Sequence, residues 1–268
     1  MEKAVMVDNL SKLTDESSRY QRLYYGQEFC PQTFLTLKEL QSVILFCEKK
    51  HIKLTLVTPY MTDESMDVMG HLIKEAYEEP VWDELVINDF GMLYFIHNNY
   101  PGRFKLIWGR LLNKTKKSPS ILNYYAKLDD ESKEALQTTA GEFFPNLAFM
   151  RKYQIAGIQF ENKLQGNLSA KEDNSDFNIP KLARELVYPY VHITTSRRCF
   201  SSILYGKTPM SMWKTSTLCN KSCKTCKAVL YNEVMKKDIL LKGNSLYYEN
   251  TDLPANLPEY SRIITQIL

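Results

Sequence analysis

Segments with strand character alternate with segments of helical periodicity along the first two-thirds of the chain. The strand-like segments are residues 3–9, 22–29, 53–60, 84–90, 104–110, 155–161 and 187–194. Helical patterns lie between them at residues 36–51, 63–79, 91–100 and 131–144. Such alternation is typical of βα units around a parallel sheet. It predicts an α/β fold, and specifically a (β/α) barrel, complete or incomplete; an open doubly wound sheet is the alternative.

The first helical segment assigns one of the six cysteines to the core. Leu37, Leu40, Val43, Ile44 and Cys47 recur on one face at helical spacing. A free cysteine in such a stripe packs as a small apolar residue. We therefore expect Cys47 to be structural and to take no part in metal binding.

The composition excludes several classes of protein. With 268 residues, 44% of them apolar and 12% aromatic, the chain can bury one substantial core, which excludes a disordered protein. No apolar run approaches the ~20 residues of a membrane-spanning helix, and no leader pattern follows Met1. These features predict a soluble, cytoplasmic protein. In a reducing cytosol, its cysteines are expected to include metal ligands rather than to form disulfides.

The regular alternation stops near residue 195, and the chain becomes rich in cysteine. Residues 196–227 have poor helical and strand periodicity, so something other than a large core must order them, and a bound metal centre does this. We therefore divide the chain into a (β/α) barrel at 1–195 and a cysteine-rich, cluster-binding segment at 196–268 that covers the barrel mouth. Within this segment, the turn signal KGNS at 242–245 predicts short antiparallel strands.

Thiolates bind either zinc or iron–sulfur clusters, and the spacing of the late cysteines separates the two in part. A zinc ribbon needs two C-x2-C pairs, and only Cys223 and Cys226 have that spacing. Cys219, Cys223 and Cys226 spell C-x3-C-x2-C, the signature of radical S-adenosylmethionine enzymes. In those enzymes the motif follows the first barrel strand, whereas here only 42 residues remain after it. One cysteine at an early strand end with three in a late loop fits a cuboidal cluster between a barrel mouth and a covering segment.

Basic residues surround the late cysteines, whereas the chain as a whole carries a net charge of only +3. That total is too small to indicate wholesale binding to a phosphate backbone. Arg197 and Arg198 precede Cys199, and a lysine follows each of the three later cysteines within two residues. Because a thiolate-ligated cluster is anionic, nearby cations stabilise it and raise its reduction potential.

Five motifs occur in the order and approximate spacing of a known family. They are VTPYMTDE, VINDFGMLY, WGRLLNKTKKSP, AGIQFENKLQG and an SRRCF block followed by further cysteines. On these motifs, which span nearly the whole chain, the sequence resembles the peptidase U32-like family, and within it the UbiU/UbiV iron–sulfur proteins of oxygen-independent hydroxylation. The resemblance implies a (β/α) barrel, a [4Fe-4S] cluster as cofactor and a hydroxylation that does not use molecular oxygen.

The resemblance also implies which residues bind the cluster. The S-x-R-C block and a C-x3-C pair correspond to Cys199, Cys219 and Cys223. The UbiU/UbiV group takes its fourth ligand from a Y-x-G-x-x-x-C motif, which here ends in Cys30. The ligand set implied by the resemblance is therefore Cys30, Cys199, Cys219 and Cys223. The long gap from Cys199 to Cys219 and the extra Cys226 depart from the family pattern, so Cys226 is the alternative to Cys223.

For the reaction, the resemblance implies prephenate as the oxygen donor. The carboxylates of such a diacid pair well with guanidinium groups in bidentate geometry. The candidate residues for binding them are Arg110, Arg197 and Arg198. Asp89, at the end of a predicted strand, is a further candidate catalytic residue; the alternative for Arg110 is a structural pair with Asp89 or with a neighbouring strand end. His192 takes the position of a cluster ligand in another group of the family. We expect it to be packed or hydrogen-bonded, with substitute ligand as the alternative.

Two classes of function stay open for a chain of this family. As an enzyme component it would hydroxylate a small molecule or an RNA base, paired with a second U32-like protein in a heterodimer. As a non-catalytic subunit it would carry the cluster for that partner. Aromatic side chains outside the predicted strands are interface candidates: Tyr94, Phe95, Tyr100, Tyr124 and Tyr125. Peptidase activity is not expected, because no G-x-S-x-G or H-E-x-x-H motif is present.

Overall fold

The computed structural model describes residues 1–12, 19–169, 182–205, 219 and 221–268, and its centre is a closed barrel of eight parallel strands. The strands in chain order are β1 (Glu2–Val7), β2 (Arg22–Gly26), β3 (Lys53–Val57), β4 (Trp82–Ile87), β5 (Lys105–Trp108), β6 (Ile155–Glu161), β7 (Ala183–Tyr188), β8 (Tyr190–Thr195), β9 (Ala228–Leu230), β10 (Ile239–Lys242), β11 (Ser245–Glu249) and β12 (Arg262–Gln266). β1 to β7 and β12 form the barrel, and β8 to β11 form a second sheet.

The barrel closes because its last strand inserts between its first and its seventh. The order around the barrel is β1-β12-β7-β6-β5-β4-β3-β2. Ile264 of β12 pairs with Ala4 of β1 on one side and with Val187 of β7 on the other, both in parallel register. The predicted (β/α) barrel is confirmed and is complete, and the alternative of an open sheet is wrong.

Between barrel strands lie the helices α1 (Leu37–Lys50), α2 (Asp63–Glu75), α3 (Phe90–Asn99), α4 (Asp130–Gln137) and α5 (Phe144–Lys152). A short helix, α6 (Phe200–Tyr205), lies in the segment between β7 and β12 and contacts β10. Thr36 and Thr62 begin the first two helices with capping boxes, which satisfy backbone N–H groups of the first turn. Cys47 is fully buried in the core beside the barrel, as its helical spacing predicts, and burial raises the pKa of its thiol to about 12.

The predicted division of the chain at residue 195 needs correction. β12 comes from the predicted cysteine-rich segment, yet it is a barrel strand paired on both sides. The predicted strand 187–194 is two strands, because the chain leaves the barrel after β7 and β8 joins the second sheet. The cysteine-rich part is therefore an insertion between the seventh and eighth barrel strands. The physical reason for the eighth strand is that, without β12, β1 and β7 would each have an unpaired edge and the barrel would stay open.

The second sheet has the antiparallel order β8-β11-β10-β9 and is attached to the carboxyl end of the barrel. The turn between β10 and β11 confirms the predicted KGNS hairpin, with Gly243 at φ +64°, a conformation that favours glycine. Lys242 of this turn pairs with Asp8 just after β1. The side-chain amide of Asn244 donates to the carbonyl of Phe29 at 2.6 Å. These contacts join the hairpin to the strand ends from which the barrel mouth is built.

The interior of the barrel holds a buried charged network near its amino end. The guanidinium of Arg262 donates to the carboxylates of Glu84 and Glu185, which are 3% and 1% exposed. Tyr24 Oη also donates to Glu185 Oε2 at 2.8 Å. A layer of apolar side chains lies next to this network, towards the middle of the barrel. It is contributed by Ala4, Met6, Val57, Val86, Ile107, Val187 and Ile264. Because those residues cannot solvate a charge, each buried carboxylate depends on its paired cation.

A chain truncated after Ser261 lacks β12 and is expected to lose the cooperative fold of the barrel. β1 and β7 then lose their shared partner and become edge strands. Urea unfolding followed by far-ultraviolet circular dichroism measures the effect, and a chain lacking only Leu268 is the matched control. Cooperative unfolding of the truncated chain from a native spectrum would show that the barrel does not need its eighth strand.

Replacing Arg262 by Met is expected to lower the free energy of unfolding by about 3–5 kcal/mol, because Glu185 loses its buried cation and Glu84 keeps only Arg22, at 3.4 Å. Combining R262M with Glu185→Gln should recover at least about 1 kcal/mol, since one uncompensated charge is then removed. Urea denaturation of both variants measures this, with Lys105→Met at an exposed position as the control. Equal stability of R262M and the double variant would contradict the role given to Glu185.

Candidate functional site

Three separate parts of the chain bring four thiols together at the carboxyl end of the barrel. Cys30 follows β2, Cys199 directly precedes α6, and Cys219 and Cys223 lie in the loop before β9. Cys223 is 8% exposed and sits in a 3-10 turn at Ser222–Lys224. The other three are half-buried. The four residues that the family resemblance implies as ligands therefore meet in one place.

The pKa values of these thiols show that they act on one another. Burial and the neighbouring thiols raise the pKa of Cys223 to about 12, the neighbours being Cys199, Cys30 and Cys219. Burial also raises the pKa of Cys30, and Cys199 and Cys219 add to the rise. One thiol shifts another in this way only at short range, because the interaction decays with distance and screening. A group that neutralises negative charge at this point would therefore stabilise the thiolate forms.

Backbone N–H groups point at two of the four sulfur atoms. Ser202 N donates to Cys199 Sγ at 3.4 Å, and Lys221 N donates to Cys219 Sγ at 3.4 Å. Such contacts favour the thiolate over the thiol, because the donor stabilises the charged form. The third late cysteine, Cys223, packs against the hairpin turn: a Cβ built on Gly243 would lie 3.4 Å from Cys223 Cβ. The absence of a side chain at this position lets the turn approach the thiol closely.

The alternative ligand Cys226 is half-buried, and its Sγ lies 3.7 Å from Oγ1 of Thr225. The thiols with the strongest effect on the pKa of Cys223 are Cys199, Cys30 and Cys219. The preference for Cys223 over Cys226 as a ligand stays a prediction.

Within the described ranges, no three Cys, His, Asp or Glu side chains come close enough to hold a single metal ion. The four thiols lie within electrostatic reach of one another.

A small cleft opens beside Cys30 and Cys223, with a volume of about 30 Å³. The ends of β1, β2 and β12 and the β10–β11 turn form its walls, and its charged or polar lining residues include Asp8, Glu28, Lys242 and Gln266. A space of this size holds about two water molecules. Burial lowers the pKa of Lys242 to about 8 against the attraction of Asp8, which it contacts.

Arg110 is the centre of a second buried charged network, at the barrel mouth. Its guanidinium pairs with both oxygens of Glu28 and donates to Glu161 Oε1 at 3.4 Å. It also donates to the carbonyl of Tyr190 and to Gln266 Oε1, and its side chain is 0% exposed. Although burial opposes the charge, Glu28 and Glu161 keep the pKa of Arg110 above its usual value. A ligand carboxylate would have to compete with Glu28 and Glu161 for this guanidinium, and a role of Arg110 in binding such a ligand stays a prediction.

His192 is packed beneath this network, as expected. Its ring stacks on Phe29 with centroids 3.9 Å apart and 11° between the planes. Burial, and then the charges of Lys117 and Arg110, lower its pKa well below the usual value, so the ring is neutral. Its Nδ1 lies 3.4 Å from Lys117 Nζ, and its backbone N–H donates to Glu161 at 2.6 Å. His192 thereby supports the loop that carries Cys30, one residue from Phe29.

The other candidate residues have separate positions. Asp89 is the N-cap of α3, where its carboxylate accepts from Met92 N at 3.0 Å; Arg110 pairs instead with Glu28 and Glu161, which lie at neighbouring strand ends. Arg197 and Arg198 are exposed beside Cys199. Of the predicted interface aromatics, Tyr94 and Tyr124 are 64% and 44% exposed. Phe95 and Tyr100 instead pack against the core, and Tyr125 Oη donates to the carbonyl of Gln165.

Sequence reasoning missed several residues of the mouth. Glu28, Glu161 and Lys117 form its ion pairs, and Lys242 lines the cleft. Glu28 and Glu161 each lie at or just after the carboxyl end of a barrel strand. That position in the sequence could have identified them as residues of the barrel mouth. Nothing local in the sequence shows that they share one arginine, since the residues are 82 and 51 positions away from it.

No family model and no curated protein matches the chain. Among solved structures, the U32 peptidase Mk0906 is similar with a TM-score of 0.47 and 6% identity, over 100% of this chain and 92% of that one. A class V chitinase variant from Nicotiana tobaccum in complex with NAG4 has a TM-score of 0.37 and 9% identity, over 98% and 93% of the two chains. None of the helices in the described ranges has the length and apolar character needed to cross a lipid bilayer.

Replacing Arg110 by Met is expected to lower the free energy of unfolding by about 3–5 kcal/mol, because Glu28 remains buried without its cation and Glu161 keeps only Lys117. The matched control is Arg197→Met at an exposed position, for which we expect a change within about 0.5 kcal/mol. Anaerobic urea unfolding of the two variants and the wild type measures both effects. A similar loss in the two variants would contradict the structural role of Arg110.

Proposed function

We propose that this chain binds a [4Fe-4S] cluster through Cys30, Cys199, Cys219 and Cys223 and takes part in oxygen-independent hydroxylation of a small molecule or an RNA base, as one half of a pair of U32-like proteins. The observation that supports the proposal is the meeting of these four thiols from three separate segments. The same four residues are the set implied by the sequence motifs. Two independent lines, geometry and motif spacing, thus favour the same ligands.

The donor set fits a cuboidal cluster. Four cysteine thiolates are its usual ligands, and each binds a different iron at a corner of the cube. Cys30, Cys199, Cys219 and Cys223 lie within electrostatic reach of one another and would supply one thiolate for each iron.

The residues around the thiols fit an anionic centre. The backbone N–H groups of Ser202 and Lys221 donate to two of the sulfur atoms, and the cation of Lys242 acts on Cys223. Both features favour bound thiolates and raise a cluster's reduction potential. Because burial keeps Cys30, Cys199 and Cys223 protonated in the free protein, binding must release protons and is favoured by rising pH.

The bound cluster would supply a Lewis-acidic and redox-active iron site. The chain's own residues would position it: Phe29 stacks on His192, and Glu28 pairs with Arg110, so the loop that carries Cys30 is held on both faces. With Arg110 occupied, the arginines with exposed side chains near the thiols are Arg197 and Arg198. These two are the residues we propose for binding the carboxylates of an oxygen donor such as prephenate.

A non-catalytic role as the cluster-bearing partner subunit is the second candidate. The observation that favours it is the size of the cleft beside Cys30 and Cys223, about 30 Å³, which is too small for a ring-sized substrate. If this reading holds, the substrate is bound by the partner protein. A catalytic half of the pair should bind the substrate itself, whereas a cluster-bearing subunit should not. Substrate binding by the anaerobically purified chain, measured with and without its U32-like partner, separates the two roles.

The chain isolated anaerobically is expected to contain four iron and four sulfide per molecule. Alanine substitution of any one of Cys30, Cys199, Cys219 or Cys223 should reduce the bound iron at least about tenfold, because a three-thiolate site holds the cluster poorly. Cys226→Ala and Cys47→Ala are the matched controls and should keep the iron of the wild type. Iron and sulfide assays on the same samples measure the result.

Two outcomes of these assays would contradict the proposal. One zinc per chain without sulfide would replace the cluster by a zinc site. Iron lost in Cys226→Ala but kept in Cys223→Ala would show that the ligand assignment is wrong by one cysteine.

A further inference from the structure

The charge of the chain is concentrated on the part that carries the thiols. Residues 186–232 contain seven Lys and Arg and no Asp or Glu, although the whole chain has 34 basic and 31 acidic residues. Cys199, Cys219 and Cys223 all fall within this stretch. Outside it, the chain is net acidic. A cationic field is therefore centred on the thiols rather than spread over the molecule.

Four cations of this stretch are exposed and surround the thiols. Arg197 and Arg198 precede Cys199, and Lys221 offers its backbone N–H to Cys219. Lys227 is exposed just before β9. The remaining described lysine, Lys224, pairs with Glu39 at 3.3 Å. The phenol of Tyr60 lies within electrostatic reach of both Arg197 and Cys30, which indicates that Arg197 lies near the thiols.

An exposed apolar patch lies next to these cations. On α6, which begins immediately after Cys199, Phe200, Leu204 and Tyr205 are 43%, 55% and 42% exposed. Tyr205 Oη donates to the carbonyl of Lys227 at 3.2 Å, so the helix and the lysine share one surface. An apolar centre with a charged rim is the anatomy of a protein-binding surface, and aromatic residues and arginine are enriched in such surfaces.

We propose that this surface, defined by Arg197, Arg198, Lys221, Lys227 and the exposed face of α6, docks a small acidic one-electron carrier protein of the ferredoxin type. The inference rests on the proposed cluster. Charge complementarity selects the partner, because a cationic rim attracts an anionic protein and steers its approach. The half-buried thiols at the centre would bring the two redox centres close together.

The reaction at this surface would be the transfer of one electron from the carrier protein to the thiol-held centre. The carrier's iron centre is oxidised by one electron and the thiol-held centre is reduced by one, with no bond made or broken. Interfaces for such exchange are small, below about 1,200 Å² in total, and bind transiently.

A nucleic acid is the competing occupant of a cationic surface. Binding to a phosphate backbone asks for a basic patch with several Lys and Arg contacts to successive phosphates. Here the four exposed cations lie beside the apolar face of α6. A protein partner can bury such a face, whereas a phosphate chain cannot. The geometry therefore favours a protein, and RNA becomes an outcome of the test.

The experiment measures binding of oxidised plant-type [2Fe-2S] ferredoxin to the anaerobically purified chain by titration calorimetry, at about 20 mM and about 200 mM salt. We expect binding at low salt that weakens at high salt. The double variant R197E/R198E should weaken it at least about tenfold, and Lys227→Glu, which lies outside the ligand cysteines, should weaken it by about threefold or more. Lys105→Glu, an exposed lysine at the opposite end of the barrel, is the matched control and should bind as the wild type does.

Three outcomes overturn the proposal: no ferredoxin binding, binding that K227E and R197E/R198E leave unchanged, or binding of a single-stranded RNA oligomer in place of ferredoxin. Iron and sulfide are assayed on every sample. Full iron and sulfide without ferredoxin binding refutes the docking surface and leaves the proposed function standing. Absence of the cluster from the wild type refutes the proposed function itself.

Discussion

The pairing of β12 between β1 and β7 is the constraint on which the rest of the structure depends. Parallel strands all point the same way, so a chain that leaves β7 emerges at the carboxyl end of the barrel and must return to the amino end to enter β12. The insertion between them, residues 189–261, thus begins at the barrel mouth. Its cysteines meet Cys30 for this topological reason, and not because of any affinity between the segments themselves.

Buried ion pairs set the shape of the barrel at both ends. Near the amino end, Arg262 joins strands β4, β7 and β12; at the mouth, Arg110 joins the loops that follow β2 and β5 to the end of β6. Such pairs add little net stability over apolar packing, but a single missing partner is costly. They therefore act mainly by excluding alternative arrangements. The Glu28–Arg110 pair in particular fixes the loop from which Cys30 projects.

The thiol site combines a rigid side with a less regular one. Cys30 is attached to a barrel strand, whereas Cys199, Cys219 and Cys223 belong to a stretch with a six-residue helix, a short turn and little apolar periodicity. A bound centre that bridges the two sides would couple metal binding to the order of the insertion. The hairpin contact between Gly243 and Cys223 links the insertion to the second sheet. The exposed cations Arg197, Arg198, Lys221 and Lys227 lie in the same stretch of the chain as three of the thiols.

Local patterns in the sequence determined the elements of the fold. The apolar stripe of α1, the burial of Cys47 and the first six strands are readable because hydrophobic periodicity involves neighbouring residues only. The motif spacing likewise identified Cys30, Cys199, Cys219 and Cys223 as a set. It did not identify β12, because the five-residue segment Arg262–Gln266 has no helical partner and stands beyond an irregular region.

Only the tertiary structure decided which side chains share the barrel mouth. The sequence presents Arg110 as a plausible ligand for carboxylates, yet barrel closure places Glu28, Glu161 and Gln266 around it, and a ligand would have to compete with them. Likewise, the hairpin turn packs against Cys223. These outcomes follow from which strand ends become neighbours in a closed cylinder, a long-range property that no local pattern of residues encodes.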